Sequence, residues 1–339
     1  MMPKQKLFFS TEMVDPDERD ECWRDISSIV YEVDPWDRNG IRELHGTVSS
    51  RLFGSMVVGR TTFNDQECRR SRQLVVCTDR DLCVIQLVLA GVAQGDYDGQ
   101  DTQLKPGDVL VHDLTQVMSA HVSTGERLAI IVNRSELRRR VSRRSLHGIV
   151  LDGTAPVTRL VADYILGLDR VLLELQESEV PATEEALLLL LANAINGRTT
   201  EWCDELPSTA PMRQRIIDFI NNNVADPALD PSMIMARFRL SRSHLYRAFE
   251  ADGGIARFIR ERRLDLAYKL LFEKGARELS IKEVIYRCGL SENVQFSKFF
   301  KDRFGLPPHE IKDQNKSRFH TKNGPHDFHN YLYKIIRKF

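Results

Sequence analysis

Two stretches about fifty residues apart carry side chains able to read a nucleic acid. In Arg242-Ser243-His244-Leu245-Tyr246-Arg247-Ala248-Phe249, helical spacing puts Arg242, Ser243, Tyr246 and Arg247 on one face and Leu245, Ala248 and Phe249 on the other. A guanidinium can donate a parallel pair of hydrogen bonds to guanine O6 and N7, and a hydroxyl can reach a base edge or a phosphate. In Glu292-Asn293-Val294-Gln295-Phe296-Ser297-Lys298-Phe299-Phe300-Lys301, the matching outward positions are Asn293, Val294 and Gln295. Their amides suit adenine edges and Val294 suits a thymine methyl, while Lys298 and Lys301 suit phosphate oxygens. A solvated helix face is the competing reading at each position, and the charge of Glu292 opposes phosphate.

Other chemistry is poorly supported. His112 and His121 are not joined by the third histidine and spaced glutamate that a facial metal cluster needs, and His320, His326 and His329 have irregular spacing with no accompanying cysteine. The six cysteines are scattered, without a CxxC pair, so neither a disulfide framework nor a four-thiolate zinc site is expected. No cofactor and no enzymatic activity are expected. Trp23, Arg60 and His112 are candidates for lining a small-molecule pocket, although core packing explains Trp23 equally well. The run Arg138-Arg139-Arg140 with Arg143-Arg144 could hold an anion, but a solvated helix face is the better account.

The elements around the two candidate faces repeat one grammar. Asp230-Pro231 is a cap followed by proline at the first helical position, opening a short helix to Phe238, and Ser241 caps the next. Ser280-Ile281-Lys282-Glu283 is a capping box, Gly289 supplies a turn, and Ser291 can cap the last helix. A helical stretch from Phe258 to Leu271 joins the two pairs. Two helices linked by a tight turn form the helix-turn-helix unit, whose second helix enters the major groove.

Charge is divided along the chain. The totals cancel, with 48 Lys and Arg against 48 Asp and Glu, but from Thr209 onward there are 25 against 15, leaving 23 against 33 before it. The proline-containing stretch Asp204 to Pro211 marks the boundary. Ahead of it, residues 43–133 read as short strands, among them Leu74–Cys77, Leu82–Leu89, Asp108–His112 and Leu128–Val132, punctuated by turns such as Pro106-Gly107-Asp108. This suggests a sandwich or small barrel. Residues 157–175 and 183–203 then read as helices, the second apolar nearly all round, serving as internal core or as a subunit interface; the long stripe favours the interface. The longest near-apolar run, Ala186 to Ile195, is too short to span a bilayer, and the first ten residues show no secretory signal, so a cytoplasmic protein without membrane association is expected.

The C-terminal pattern Arg262-Arg263-Leu264, Ala267, Leu270-Leu271, Ile281, Val284, Gly289-Leu290, Phe296-Ser297-Lys298, Phe300, Phe304-Gly305 and Pro308 resembles the double helix-turn-helix signature of the AraC/XylS family of bacterial transcription regulators. Residues 7 to about 145 are similar to that family's cupin-like ligand-binding domain through Phe9-Ser10-Thr11, Arg19, Cys22-Trp23, Gly59-Arg60, Leu104, Pro106-Gly107-Asp108 and Asp113. Arg239 replaces the glycine usual in the first turn, and Met235 and Ile285 replace small alanines. The resemblance implies an α+β chain: a cupin-like β-barrel sensor at 1–150, a helical dimerisation segment at 151–204, a linker at 205–211 and an all-α double helix-turn-helix domain at 212–313. A basic tail at 314–339 follows. It implies a homodimeric, effector-responsive activator that binds promoter DNA and RNA polymerase. A repressor of the same fold, and a cupin enzyme with a DNA-binding appendage, are the alternatives.

Overall fold

Alternating apolar residues and frequent turns build an antiparallel β structure in the first part of the chain, and helical periodicity builds the rest. The computed structural model describes residues 7–36, 43–78, 81–141, 145–197, 209–272, 279–290 and 295–311. They fall into two units, an α+β unit ending at Gly197 and an all-helical unit starting at Thr209.

The N-terminal unit contains β1 (Leu7–Ser10), α1 (Arg19–Ser27), β2 (Glu32–Pro35), β3 (Gly46–Phe53), β4 (Met56–Phe63), β5 (Gln66–Arg70), α2 (Arg72–Thr78) and β6 (Leu82–Ala90). It continues with β7 (Ala93–Asp96), β8 (Asp101–Leu104), β9 (Val109–Asp113), β10 (Met118–Val122), β11 (Gly125–Asn133), α3 (Arg134–Arg138), β12 (Ile149–Leu151), α4 (Pro156–Val171) and α5 (Val180–Asn196). One sheet runs β1-β3-β4-β11-β6-β9-β12 and the other β2-β5-β10-β7-β8. Strand alternation gives the first sheet two apolar faces. Val58, Leu128, Ile130 and Val132 pack with Val161, Ile165, Leu187 and Leu191 of α4 and α5. Val57, Gly59, Ala129 and Ile131 point the other way, into a cavity also lined by the second sheet.

Two expectations are revised. Residues 74–77 are helical, within α2, not a strand. A four-residue apolar run has no periodicity to separate the two, and here the Ser71 hydroxyl accepts from the Leu74 N–H at 3.2 Å, starting a helix. Within the expected helical segment, α4 and α5 share the core of the seven-stranded sheet, the internal-core alternative of the two readings. The Tyr164 hydroxyl donates to the Thr183 carbonyl at 2.9 Å, fastening α4 to α5. Finally, helix α6 (Thr209–Asn222) begins inside the expected linker 205–211. Pro211 is tolerated there because N–H groups of the first turn have no intrahelical partner.

The C-terminal unit continues with α7 (Pro231–Phe238), α8 (Arg242–Ala248), α9 (Ile255–Phe272), α10 (Ile281–Arg287) and α11 (Phe296–Phe304). Asp230 caps α7 by accepting from the Met233 N–H at 2.8 Å, and Ser280 caps α10 by accepting from the Glu283 N–H at 3.2 Å. Ile216, Ile220, Ile234, Leu245, Phe249 and Phe258 close one core around the first helix pair. Around the second, Tyr268 of α9 meets the rings of Phe300 and Phe304 at centroid distances of 6.0 and 4.6 Å.

Candidate nucleic-acid interface and ligand cavity

The cap and the core orient α8. Ser241 accepts from the His244 N–H at 3.3 Å, while Leu245 and Phe249 are fully buried. The Arg213 guanidinium donates to the Ala248 carbonyl at 3.0 Å, pairs with Asp252 at 2.8 Å and lies 5.0 Å from the Phe249 ring centroid. The opposite face is left to solvent: Arg242, Ser243, Tyr246 and Arg247 are all exposed, with the Arg242 guanidinium 5.3 Å from the Tyr246 ring. Neither Arg242 nor Arg247 is ion-paired among the described residues, so both guanidiniums keep their donors for a ligand.

The second face is described in part. Asn293 and Val294, with Ser291 and Glu292, lie outside the described residues. The helix expected at 292–301 is described from Phe296 to Phe304, so Gln295 stands at its N-cap and not within it. Gln295, Lys298 and Lys301 are exposed along one side while Phe296, Phe300 and Phe304 are buried. Arg303 holds the helix in place, donating to both carboxylate oxygens of Asp265 on α9 at 2.7 and 3.0 Å and pairing with Glu261 at 2.9 Å. The tail 314–339 lies outside the described residues.

The cavity between the two sheets has a volume of about 160 Å³. Of the three candidate ligand residues, Trp23 lines it; its indole N–H donates to Gln66 Oε1 at 2.9 Å. Arg60 does not, because its side of β4 faces the helices. It pairs there with Glu126 at 2.7 Å and Asp169 of α4 at 3.0 Å. His112 stands one layer behind the wall, fully buried, with Nε2 2.5 Å from the hydroxyl of Tyr31, which does line the cavity. Burial, with the neighbouring His147 second, holds the His112 imidazole well below its ordinary pKa.

Sequence reasoning missed the most polar side chain of the wall. Arg127 is 4% exposed, and strand alternation along β11 gives consecutive residues opposite faces. Glu126 pairs with Arg60, while Arg127 joins Ala129 and Ile131 on the cavity side. The Arg127 guanidinium lies 5.3 Å from the Phe63 ring centroid. Of the arginine run, Arg140 ties α3 to α5 through Glu185 at 2.5 Å and Arg139 pairs with Glu136. Among the described residues no group of three or more His, Cys, Asp or Glu side chains gathers as a metal site, and no helix is long and apolar enough to cross a membrane.

Comparisons with known proteins agree with this layout. Residues 35–196 match the AraC-binding-like domain and residues 234–314 the helix-turn-helix domain. The HTH-type transcriptional activator RhaS of Escherichia coli is 27% identical over 169 residues, which cover 48% of this chain and 59% of that protein. RhaS of another Escherichia coli strain is 24% identical over 139 residues, covering 40% and 49%. The chain thus spans about half the length of the curated relatives it matches. The crystal structure of the AraC-like transcriptional activator CuxR shares the fold, with a TM-score of 0.53 at 19% identity over 78% of this chain and 96% of that one. With an AraC-binding-like domain ahead of a paired helix-turn-helix domain, the chain belongs to the AraC family of regulators.

Proposed function

We propose that the protein is a sequence-specific DNA-binding transcription regulator, acting in the cytoplasm, whose N-terminal unit senses a small molecule. One observation carries the reading: Arg242, Ser243, Tyr246 and Arg247 form an exposed face on the second helix of a helix-turn-helix, with neither guanidinium ion-paired among the described residues. Gln295, Lys298 and Lys301 offer a second exposed polar and basic face on the other unit. Asn293 and Val294, outside the described residues, are proposed as base contacts on their side-chain chemistry alone. Two such helices read successive major-groove segments.

Dimerisation uses the helices α4 and α5, which leave Leu160, Val171 and Leu189 exposed while their other face packs on the sheet. The regulator acts as an activator, contacting RNA polymerase at the promoter. An effector in the cavity changes affinity for DNA, and linkage requires DNA to change affinity for the effector by the same factor.

Genome-wide mapping of bound DNA, with and without added metabolites, tests the function; occupancy without a preferred sequence overturns it. Arg242→Ala or Arg247→Ala should cost about 1–3 kcal/mol at one base position. Equal loss on specific and random DNA would instead identify a phosphate contact.

A further inference from the structure

Most polar side chains in the cavity wall satisfy one another. Trp23 donates to Gln66, Gln66 Nε2 donates to Cys68 Sγ at 3.6 Å, and Gln86 Nε2 donates to the Tyr31 hydroxyl at 3.2 Å. Arg127 is different. Its Nη1 donates to the carbonyls of Ala90 and Glu126, but Nη2 is buried without a hydrogen-bond partner, and no carboxylate lies within salt-bridge distance among the described residues. A second unpartnered polar atom, Ser50 Oγ, belongs to another lining residue. The groups facing Arg127 do not supply an anion. Burial raises the Tyr31 and Tyr97 hydroxyls above the ordinary tyrosine pKa and pushes the Cys68 thiol up to about 12, so all three stay neutral.

A buried guanidinium without a counter-ion is costly, because desolvation is uncompensated and a donor is left unused. A bound anion removes both costs. The remainder of the wall is largely aliphatic and aromatic, with Val57, Phe63, Val84, Met118, Val122 and Ile131 among its residues. At about 160 Å³ the space is close to that of an engineered apolar cavity of about 150 Å³ that takes benzene.

We propose that this cavity binds a small monocarboxylate with an apolar body the size of one six-membered ring, its carboxylate seated on Arg127. The assignment rests on the reading of the N-terminal unit as the effector sensor and names the chemical class of the effector.

The test is isothermal titration of the full-length chain with benzoate, phenylacetate, cyclohexanecarboxylate and hexanoate, each against its neutral amide, with DNA occupancy measured in parallel. At least one acid should bind, with its amide weaker by about 10- to 100-fold. In Arg127→Met the acid should lose that advantage, and Arg127→Lys should keep part of it. Should Arg127→Met not fold, the wild-type contrast between acid and amide and the Arg127→Lys titration still decide. The assignment is overturned if no acid binds at millimolar concentration, if amides bind as tightly as acids, or if Arg127→Met keeps the preference. An acid that binds through Arg127 without altering DNA occupancy refutes the sensor reading alone. Amides that bind equally and do alter occupancy refute the assignment alone.

Discussion

The two helix-turn-helix units bend in the same left-handed backbone region but with different residues. In the first, Arg239 follows α7 at φ 53° and ψ 44°, with its side chain exposed. In the second, Gly289 follows α10 at φ 63°, and a Cβ there would lie 3.0 Å from the Ala225 carbonyl oxygen and 3.2 Å from the Asp226 carbonyl. The sign of φ alone therefore does not require glycine. A long side chain bears the strain where it can leave toward solvent, and glycine is needed where a neighbouring backbone comes close. The units also differ in how they are anchored. The first leans on the apolar contact of Phe249 with Phe258, 5.0 Å apart, helped by the half-exposed Arg213–Asp252 pair. The second relies on the buried bidentate pair of Arg303 with Asp265.

Four substitutions probe the contrast. Asp265→Ala should have the largest effect, a loss of about 3 kcal/mol. That is the low end for a broken buried pair, because Glu261 still faces Arg303. Asp252→Ala in the first unit should cost about 1 kcal/mol or less, its pair being partly solvated. Equal urea midpoints for the two variants would remove the difference in anchoring. Gly289→Ala comes next, at about 2 kcal/mol from backbone strain and the pressed carbonyls, read from the same unfolding curves. A neutral result would mean that the loop yields. The smallest effect is Arg239→Gly, expected to stabilise by up to about 1 kcal/mol through relief of the left-handed strain. A loss of stability would show that the Arg239 side chain contributes more than its conformation costs.

The helical unit was far more legible in the sequence than the sensor site. Its caps at Asp230, Ser241 and Ser280, and the inward positions Leu245 and Phe249, follow from local chemistry within a few residues, and all are observed. The cavity depends on two sheets meeting, which no local pattern encodes. Gly59 and Arg60 are neighbours in sequence but face opposite sides of β4, one to the cavity and the other to α4. Period-two alternation separates them without saying which face is inside. Arg127 was harder still, since a charged side chain in an alternating strand is ordinarily given to solvent, and only the arrival of the second sheet buries it. His112 was near the target by proximity alone, touching the wall through Tyr31.

The loop between α6 and α7 accepts hydrogen bonds from Arg263 of α9 at the carbonyls of Val224, Asp226 and Leu229, over 3.3, 2.7 and 3.1 Å. Its Ala225 and Asp226 carbonyls are also the ones that crowd Gly289. Connecting helix and second turn are thus gauged against the same few backbone atoms, like two jaws of a caliper ground to one reference edge. A caliper set this way measures a single spacing. One base pair inserted between the two half-sites would turn the second by roughly 35° around the duplex axis, away from the spacing that such a shared edge sets.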